Sequence, residues 1–344
     1  VSAPRVSVLL PCRDAAGTLE SSLRSLSDQR WSDFEIVAVD DGSRDRTGEL
    51  LDEWTGREER LRVLRRERRG LIPALNDAAG AARGRLLARM DADDVAHSER
   101  LGLQVALMEE RPELAACGTG VRYVPREGIG SGLLRYEQWL NGLRTSEDVR
   151  RALFVECPVA HPTLMIRARV LEELGGYRDE GWPEDYDLML RLHAAGMRAA
   201  NVDRTLLRWR RGEERLSRTS PRYGRDAFRR CRVHFLLRGA LPADRPVVVW
   251  GAGRVGKRFG RELRSQGGEV RAWIDVDSRK IGQEIHGLPV LSPRELEAAA
   301  MGPEGSGPTA YVLVAVGAPG ARDEIREELA AMGLRELRDF RAVA

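Results

Sequence analysis

The amino-acid sequence predicts an α/β protein of two domains, a larger one on a mostly parallel sheet and a smaller one at the C-terminus. Three observations carry this. Apolar runs of strand length alternate with segments of helical period from the N-terminus onward, acidic residues follow directly on two of those runs, and a second alternation begins after residue 241.

The elements follow in order. Residues 6–10 (VSVLL) and 35–39 (EIVAV) read as strands, each followed by a helical pattern, over 21–27 and 47–59. A short strand at 61–64, a helix at 72–82, a strand at 86–90 and a helix at 98–110 continue the alternation, with Pro112 beyond the last helix. Residues 113–170 are less regular: a glycine-rich loop at 128–132 precedes a helical pattern over 133–154. A helix is expected at 184–195, and the arginine-rich stretch 204–230 closes the first domain, assigned to residues 1–240. The stretch 241–244 (LPAD) reads as a linker to a second domain, 241–344. There, 246–250 and 270–274 are strands around a helix at 255–266, and a strand at 311–316 and a helix at 322–332 finish the chain.

Composition narrows the function classes. A chain of 344 residues with 42% hydrophobic and 32% charged content buries a sizeable core, and 56 basic against 53 acidic residues leave a charge of +3, so nucleic acid is not implied as a partner. The four cysteines are scattered, with no Cys-x-x-Cys pair, which fits a reduced cytoplasmic setting. No run approaches the ~18 apolar residues of a spanning helix, so any membrane contact is expected to be peripheral, on the inner face. An oligomer is compatible with the sequence.

Three acidic motifs carry candidate chemistry. Asp91-Ala92-Asp93-Asp94 follows an apolar strand, and the i, i+2 pair Asp91 and Asp93 can reach one divalent cation, Mn2+ or Mg2+ by the hardness of carboxylate oxygens. A solvated turn explains the same residues. Asp40-Asp41-Gly42-Ser43 ends the strand at 35–39, where a carboxylate faces the ligand crevice of a parallel sheet and can accept from a nucleobase N–H; capping of the next helix by Ser43 or Asp45 is the plain alternative. Trp182-Pro183-Glu184-Asp185 opens a helix, whose positive end favours ionised acids and suits a general base, although acids in a first turn are also ordinary helix stabilisers.

In this order, and with Val6 to Pro11, Ala74-Leu75-Asn76, Ala88-Arg89-Met90, His161-Pro162-Thr163 and Gly175-Gly176-Tyr177, the motifs resemble glycosyltransferase family 2 over about residues 5–230. The resemblance implies a GT-A fold and a metal-dependent transfer of sugar from a nucleoside diphosphate donor, UDP foremost, to a hydroxyl of a glycan or lipid-linked acceptor in polysaccharide biosynthesis. It implies that Pro11, Arg13 and Asp41 lie on the donor base, that Asp91 and Asp93 bind the metal with Asp93 the direct ligand, and that Asp185 is the catalytic base. Glu184, Trp182 and His161 fall on the acceptor side, with inverting chemistry as the family's usual course. Many members carry an arginine before the asparagine of the third helix, where this chain has Leu75, so donor contacts are expected from Asn76 and Arg69. His161 could equally brace its loop. The runs Arg208-Trp209-Arg210-Arg211 and Arg215-Leu216-Ser217-Arg218 could close on the diphosphate, or serve as a solvated face for anionic lipid.

In the second domain Gly251-Ala252-Gly253-Arg254-Val255-Gly256 follows a strand and opens a helix, and Asp275 ends the next strand where a ribose-binding acid would stand. Residues 281–291 and 315–319 look like the small Rossmann-like modules found beside sugar-modifying enzymes, which implies a bound nucleotide, NAD included, or a retained scaffold. Two rival readings remain at this level: a non-catalytic nucleotide-sugar binding protein, and a bifunctional enzyme whose C-terminal half modifies the sugar with NAD.

Overall fold

The computed structural model describes residues 3–212, 215, 219–300, 309–318 and 320–344. Two compact units form, one of Val1–Val149 and Pro158–Tyr223, the other of Arg150–Cys157 and Gly224–Ala344. Residues 224–240, assigned from sequence to the first domain, thus group with the second. No helix among the described residues is long and apolar enough to cross a membrane.

The N-terminal unit begins β1 (Val6–Cys12), α1 (Leu19–Ser27), β2 (Phe34–Asp41), α2 (Thr47–Thr55), β3 (Leu61–Arg66), α3 (Leu71–Ala81), β4 (Leu86–Arg89). It continues with β5 (Val95–Ala96), α4 (Arg100–Glu110), β6 (Leu114–Val124), α5 (Ser131–Asn141), α6 (Ser146–Ala152), β7 (Met165–Arg167), α7 (Ala168–Glu173), α8 (Glu184–Ala194) and β8 (Arg198–Arg210). One eight-stranded sheet results, in the order β3-β2-β1-β4-β7-β6-β8-β5. Strands β3, β2, β1 and β4 run parallel, β7 is antiparallel to both neighbours, and β6 pairs parallel with β8. All eight residues of β2 are buried, which explains its nearly unbroken apolar run: a parallel strand covered on both faces has no polar side. On one face Val6, Val8 and Leu10 join a core with Leu19, Leu23 and Leu26 of α1.

Register delivers the acids to one edge. Cys12 pairs with Asp40, and Leu9 with Arg89, so the C-terminal ends of β1, β2 and β4 lie side by side where ligands enter parallel sheets.

The irregular middle of the sequence holds two long strands. β6 is buried through Val121, and β8 pairs along it despite arginines at 204, 208 and 210. The expected single helix over 133–154 is two, because Gly142 ends α5 and Thr145 starts a new turn in which its hydroxyl accepts from Asp148 N–H while the Asp148 carboxylate accepts from Thr145 N–H.

The second unit comprises α9 (Arg225–Phe235), β9 (Val247–Trp250), α10 (Arg254–Ser265), β10 (Val270–Ile274), β11 (Glu284–Ile285), β12 (Leu288–Leu291), α11 (Pro293–Ala300), β13 (Tyr311–Val314), α12 (Ala321–Ala331) and β14 (Phe340–Ala342). Its six-stranded sheet has the order β11-β12-β10-β9-β13-β14, parallel except for the β11–β12 hairpin. Helix α10 lies close on β10 because Gly260 leaves room: a Cβ there would stand 2.4 Å from the Trp273 ring.

Candidate active site

Beyond β4 the chain turns through Asp91, Asp93 and Asp94, whose ligand atoms all lie within 4.8 Å of one another. That set of hard oxygens fits a divalent cation. Asp94 is fully buried, accepts from Arg210 N–H at 2.7 Å, and has its carboxyl pushed well up by burial and by the charge of Asp91. Burial alone would raise Asp91 too, but the charges of Arg89 and Arg215 override it and hold it below the usual carboxylate range. The guanidinium of Arg215 reaches all three acids, at 3.0 Å from Asp93 and 3.4 Å from Asp91 and Asp94. The guanidinium offsets part of the negative charge of the cluster. The basic run therefore divides: Arg210 and Arg215 turn onto the acids, whereas Arg211 donates to the carbonyls of Pro125 and Glu127, and Leu216 to Arg218 lie outside the described residues.

The start of α8 supplies the second group. Pro183 precedes the helix, and Glu184, Asp185 and Asp187 fill its first turn. Asp187 is committed to structure, accepting from Trp182 Nε1 at 3.0 Å and Arg191 Nε at 2.6 Å, which locks the Trp182 indole. Glu184 is buried, accepts from the Tyr223 hydroxyl at 2.7 Å, and is pushed up by burial. Asp185 is half-buried, with Oδ1 accepting from Tyr186 N–H. His161, in a short turn of residues 161–163, has Nε2 3.2 Å from the Tyr177 hydroxyl and Nδ1 3.6 Å from Glu184. Burial and the Arg89 charge lower its pKa to about 3, so it is a neutral imidazole and its approach to Glu184 is not an ion pair.

On the donor side the structure adds constraints. Both oxygens of Asp41 bind within the chain: Oδ1 accepts from Arg69 N–H and Arg66, Oδ2 from Gly70 N–H, the two main-chain bonds at 2.8 Å. Asp41 thereby brackets the loop after β3, and Arg69 enters through its backbone while its side chain is exposed. Gly42 (φ +66°) is required there, because a Cβ would lie 2.7 Å from Arg68 N. Asn76, expected to touch the donor, spends its amide on the main chain: Nδ2 donates to Tyr177 O and Oδ1 accepts from Tyr177 N–H, each at 2.9 Å. It fastens α3 to the Gly175-Gly176 turn. Pro11 sits at the end of β1, and Arg13 just beyond leans toward Asp14 at 3.4 Å. Ser43 does not cap α2; its hydroxyl accepts from Asp14 N–H, while Asp45 accepts from Thr47 N–H.

Sequence reasoning gave no role to Arg89, Tyr177 or Tyr223. A charge closing the run Leu86-Leu87-Ala88 was the one local signal for Arg89; nothing local marked Tyr223.

In the second unit Gly251 takes φ +118°, and a Cβ on Gly256 would lie 1.7 Å from Gly251 O, so both glycines are forced by the turn, whereas Gly253 faces open space. Asp275 is already engaged: Oδ2 accepts from Ala252 N–H at 2.9 Å and Lys280 Nζ at 3.0 Å, and Oδ1 from Asp277 N–H. Its carboxylate ties the glycine turn to the end of β10.

Residues 7–175 match the family model for glycosyl transferase family 2, and residues 243–334 that for a CoA binding domain. EpsE of Bacillus subtilis (strain 168), provisionally named a glycosyltransferase, is 28% identical over 232 residues, 65% of this chain and 80% of its own. The O-antigen biosynthesis glycosyltransferase WbnJ of Escherichia coli is 29% identical over 60% of this chain and 79% of its own. Among solved structures, S. aureus TarS 1–349 in complex with UDP-GlcNAc aligns with a TM-score of 0.56 at 18% identity, over 76% of this chain and 71% of that one, a likeness of fold.

Proposed function

The N-terminal unit belongs to glycosyltransferase family 2, and from that premise we propose that the chain moves a sugar from a nucleoside diphosphate donor, UDP foremost, to a hydroxyl of a glycan or lipid-linked acceptor, using Mn2+ or Mg2+. The observation that carries the reading is the acid cluster at the end of β4, in the same unit as the helix start that presents Glu184 and Asp185. The complex of TarS with UDP-GlcNAc and the O-antigen role in WbnJ's name support a sugar-nucleotide donor and a glycan acceptor.

In this mechanism Asp93 and Asp91 would hold the cation. A cation bound there supplies positive charge against the diphosphate as the sugar–phosphate bond breaks. Asp185 takes the proton of the acceptor hydroxyl while that oxygen attacks the anomeric carbon from the face opposite the diphosphate, inverting it. Glu184, its carboxyl pushed up by burial and accepting from the Tyr223 hydroxyl, stands beside Asp185 on the acceptor side. Pro11, Arg13 and the Asp41 bracket form the floor for the base. For the second unit we propose a nucleotide-binding module without hydride chemistry, supported by the glycine turn; its Asp275, tied to Ala252 and Lys280, is not available as a free ribose acceptor.

Thermal unfolding of the full chain with UDP, GDP, UDP-sugars, CoA and NAD, each with and without Mn2+, tests this, since a ligand of the native state raises its apparent stability. Stabilisation by a nucleoside diphosphate that requires Mn2+ is expected. Stabilisation by NAD alone, with no metal-dependent response, would overturn the transferase site in favour of a sugar-modifying enzyme.

A further inference from the structure

β4 is an interior strand, between β1 and β7, and all four of its residues are buried. Three are Leu86, Leu87 and Ala88; the fourth is Arg89, 2% exposed. A guanidinium in such a place needs a compensating charge. Asp91 supplies it, with Arg89 Nη2 at 2.5 Å from Oδ1. The other nitrogens, Nε and Nη1, are buried with no hydrogen-bond partner among the described residues, so the carboxylate of Asp91 is the anchor of this cation. The dependence is mutual. Asp91 cannot release Oδ1 without stranding a buried charge, whereas the Asp93 carboxylate, 32% exposed, faces the side chain of Arg215 at 3.0 Å to each oxygen.

We propose that Arg89 is a positioning residue of the transfer reaction: by holding one oxygen of Asp91 it restricts that carboxylate to a single oxygen toward the cation and leaves Asp93 as the principal ligand. The assignment rests on the metal-dependent reading above. Its cost is a fixed positive charge beside the cation site, which weakens cation binding; its gain is a cation held in one place relative to the donor. Freed of Arg89, Asp91 can turn both oxygens to the cation, binding it more tightly in the wrong position. Misplacement of about 1 Å can lower a rate by about 100-fold.

Arg89→Met keeps a side chain of similar length without the charge; because it removes one partner of a buried pair it is expected to cost stability, so the folded fraction is measured alongside. Mn2+ binding is read without nucleotide, from the electron spin resonance of free Mn2+, and kcat and donor KM are read separately. Mn2+ affinity of R89M is expected to rise on the order of tenfold, while kcat falls by about 100-fold and donor KM stays within about threefold. Arg89→Lys, which keeps a cation near Asp91, is expected to return Mn2+ affinity toward the wild-type value and to recover part of kcat; it carries the test if R89M does not fold. A merely structural arginine would lower Mn2+ affinity and kcat together with the folded fraction, and that result overturns the proposal, as does wild-type behaviour of both variants. A wild-type chain that binds no Mn2+ sinks the metal reading itself, and this assignment with it.

Discussion

His161 offers a prediction whose size follows from its surroundings. Its ring packs between Tyr177 and Glu184, and burial with the Arg89 charge lowers its pKa to about 3, against 6.5 for an ordinary histidine. Because the folded value lies below the unfolded one, the unfolded chain takes the proton first as pH falls. The native state therefore has its full stability above pH 6.5 and loses it as pH drops from there toward 3. Between pH 8 and pH 5 the linkage amounts to about 2 kcal/mol from this one side chain. His161→Gln keeps a polar, uncharged group and removes the titration. Urea unfolding of the full chain at the two pH values should show the wild type losing about 2 kcal/mol more than H161Q. Of the five histidines, the imidazole resonance that vanishes in H161Q should not titrate between pH 8 and pH 5. Equal pH losses in the two proteins, or a His161 resonance that titrates near pH 6, would refute the reasoning.

Other outcomes follow from the same geometry. Asp185→Asn should lower kcat by about 10²–10⁴-fold, the range for a lost general base, with donor affinity by calorimetry nearly unchanged; near-normal turnover would remove Asp185 from the role of base. Asp93→Ala should abolish the Mn2+-dependent part of nucleotide stabilisation in a thermal melt, and a melt that still responds to Mn2+ would place the cation elsewhere. Asn76→Ala strands two main-chain groups of Tyr177 and should destabilise the protein by about 2–4 kcal/mol in urea unfolding. Gly256→Ala drives a Cβ into Gly251 O, so the second unit should unfold at markedly lower temperature, measured by circular dichroism or calorimetry.

The parts of the fold legible in the sequence were those whose signal is local. β1, β2 and β4 show as apolar runs because each is buried on both faces, the helices between them show by their period, and the acids stand out because they begin where those runs stop. β6 and β8 escaped notice for the opposite reason. Their pairing joins residues 114–124 to 198–210, with register shifts near Gly120, and the arginines of β8 mask its strand pattern. Residue types within the site divide the same way. Asp91, Asp93 and Glu184-Asp185 could be named from sequence, since strand ends and helix starts are positions along a chain. That Asp94 is sealed in, that Asn76 serves the Tyr177 backbone, and that Asp41 clasps the 66–70 loop could not, since each depends on partners brought from elsewhere.

By itself, then, the sequence determined where the chain would form strands and helices in its first third, which acids would stand at their ends, and where a glycine turn would open the second unit, because each of these depends on a few neighbouring residues. Tertiary structure alone decided which of those acids are buried, which cation each one meets and which histidine stays neutral. Charge and burial act through space, and Arg215 reaches Asp93 across more of the chain than any local pattern spans.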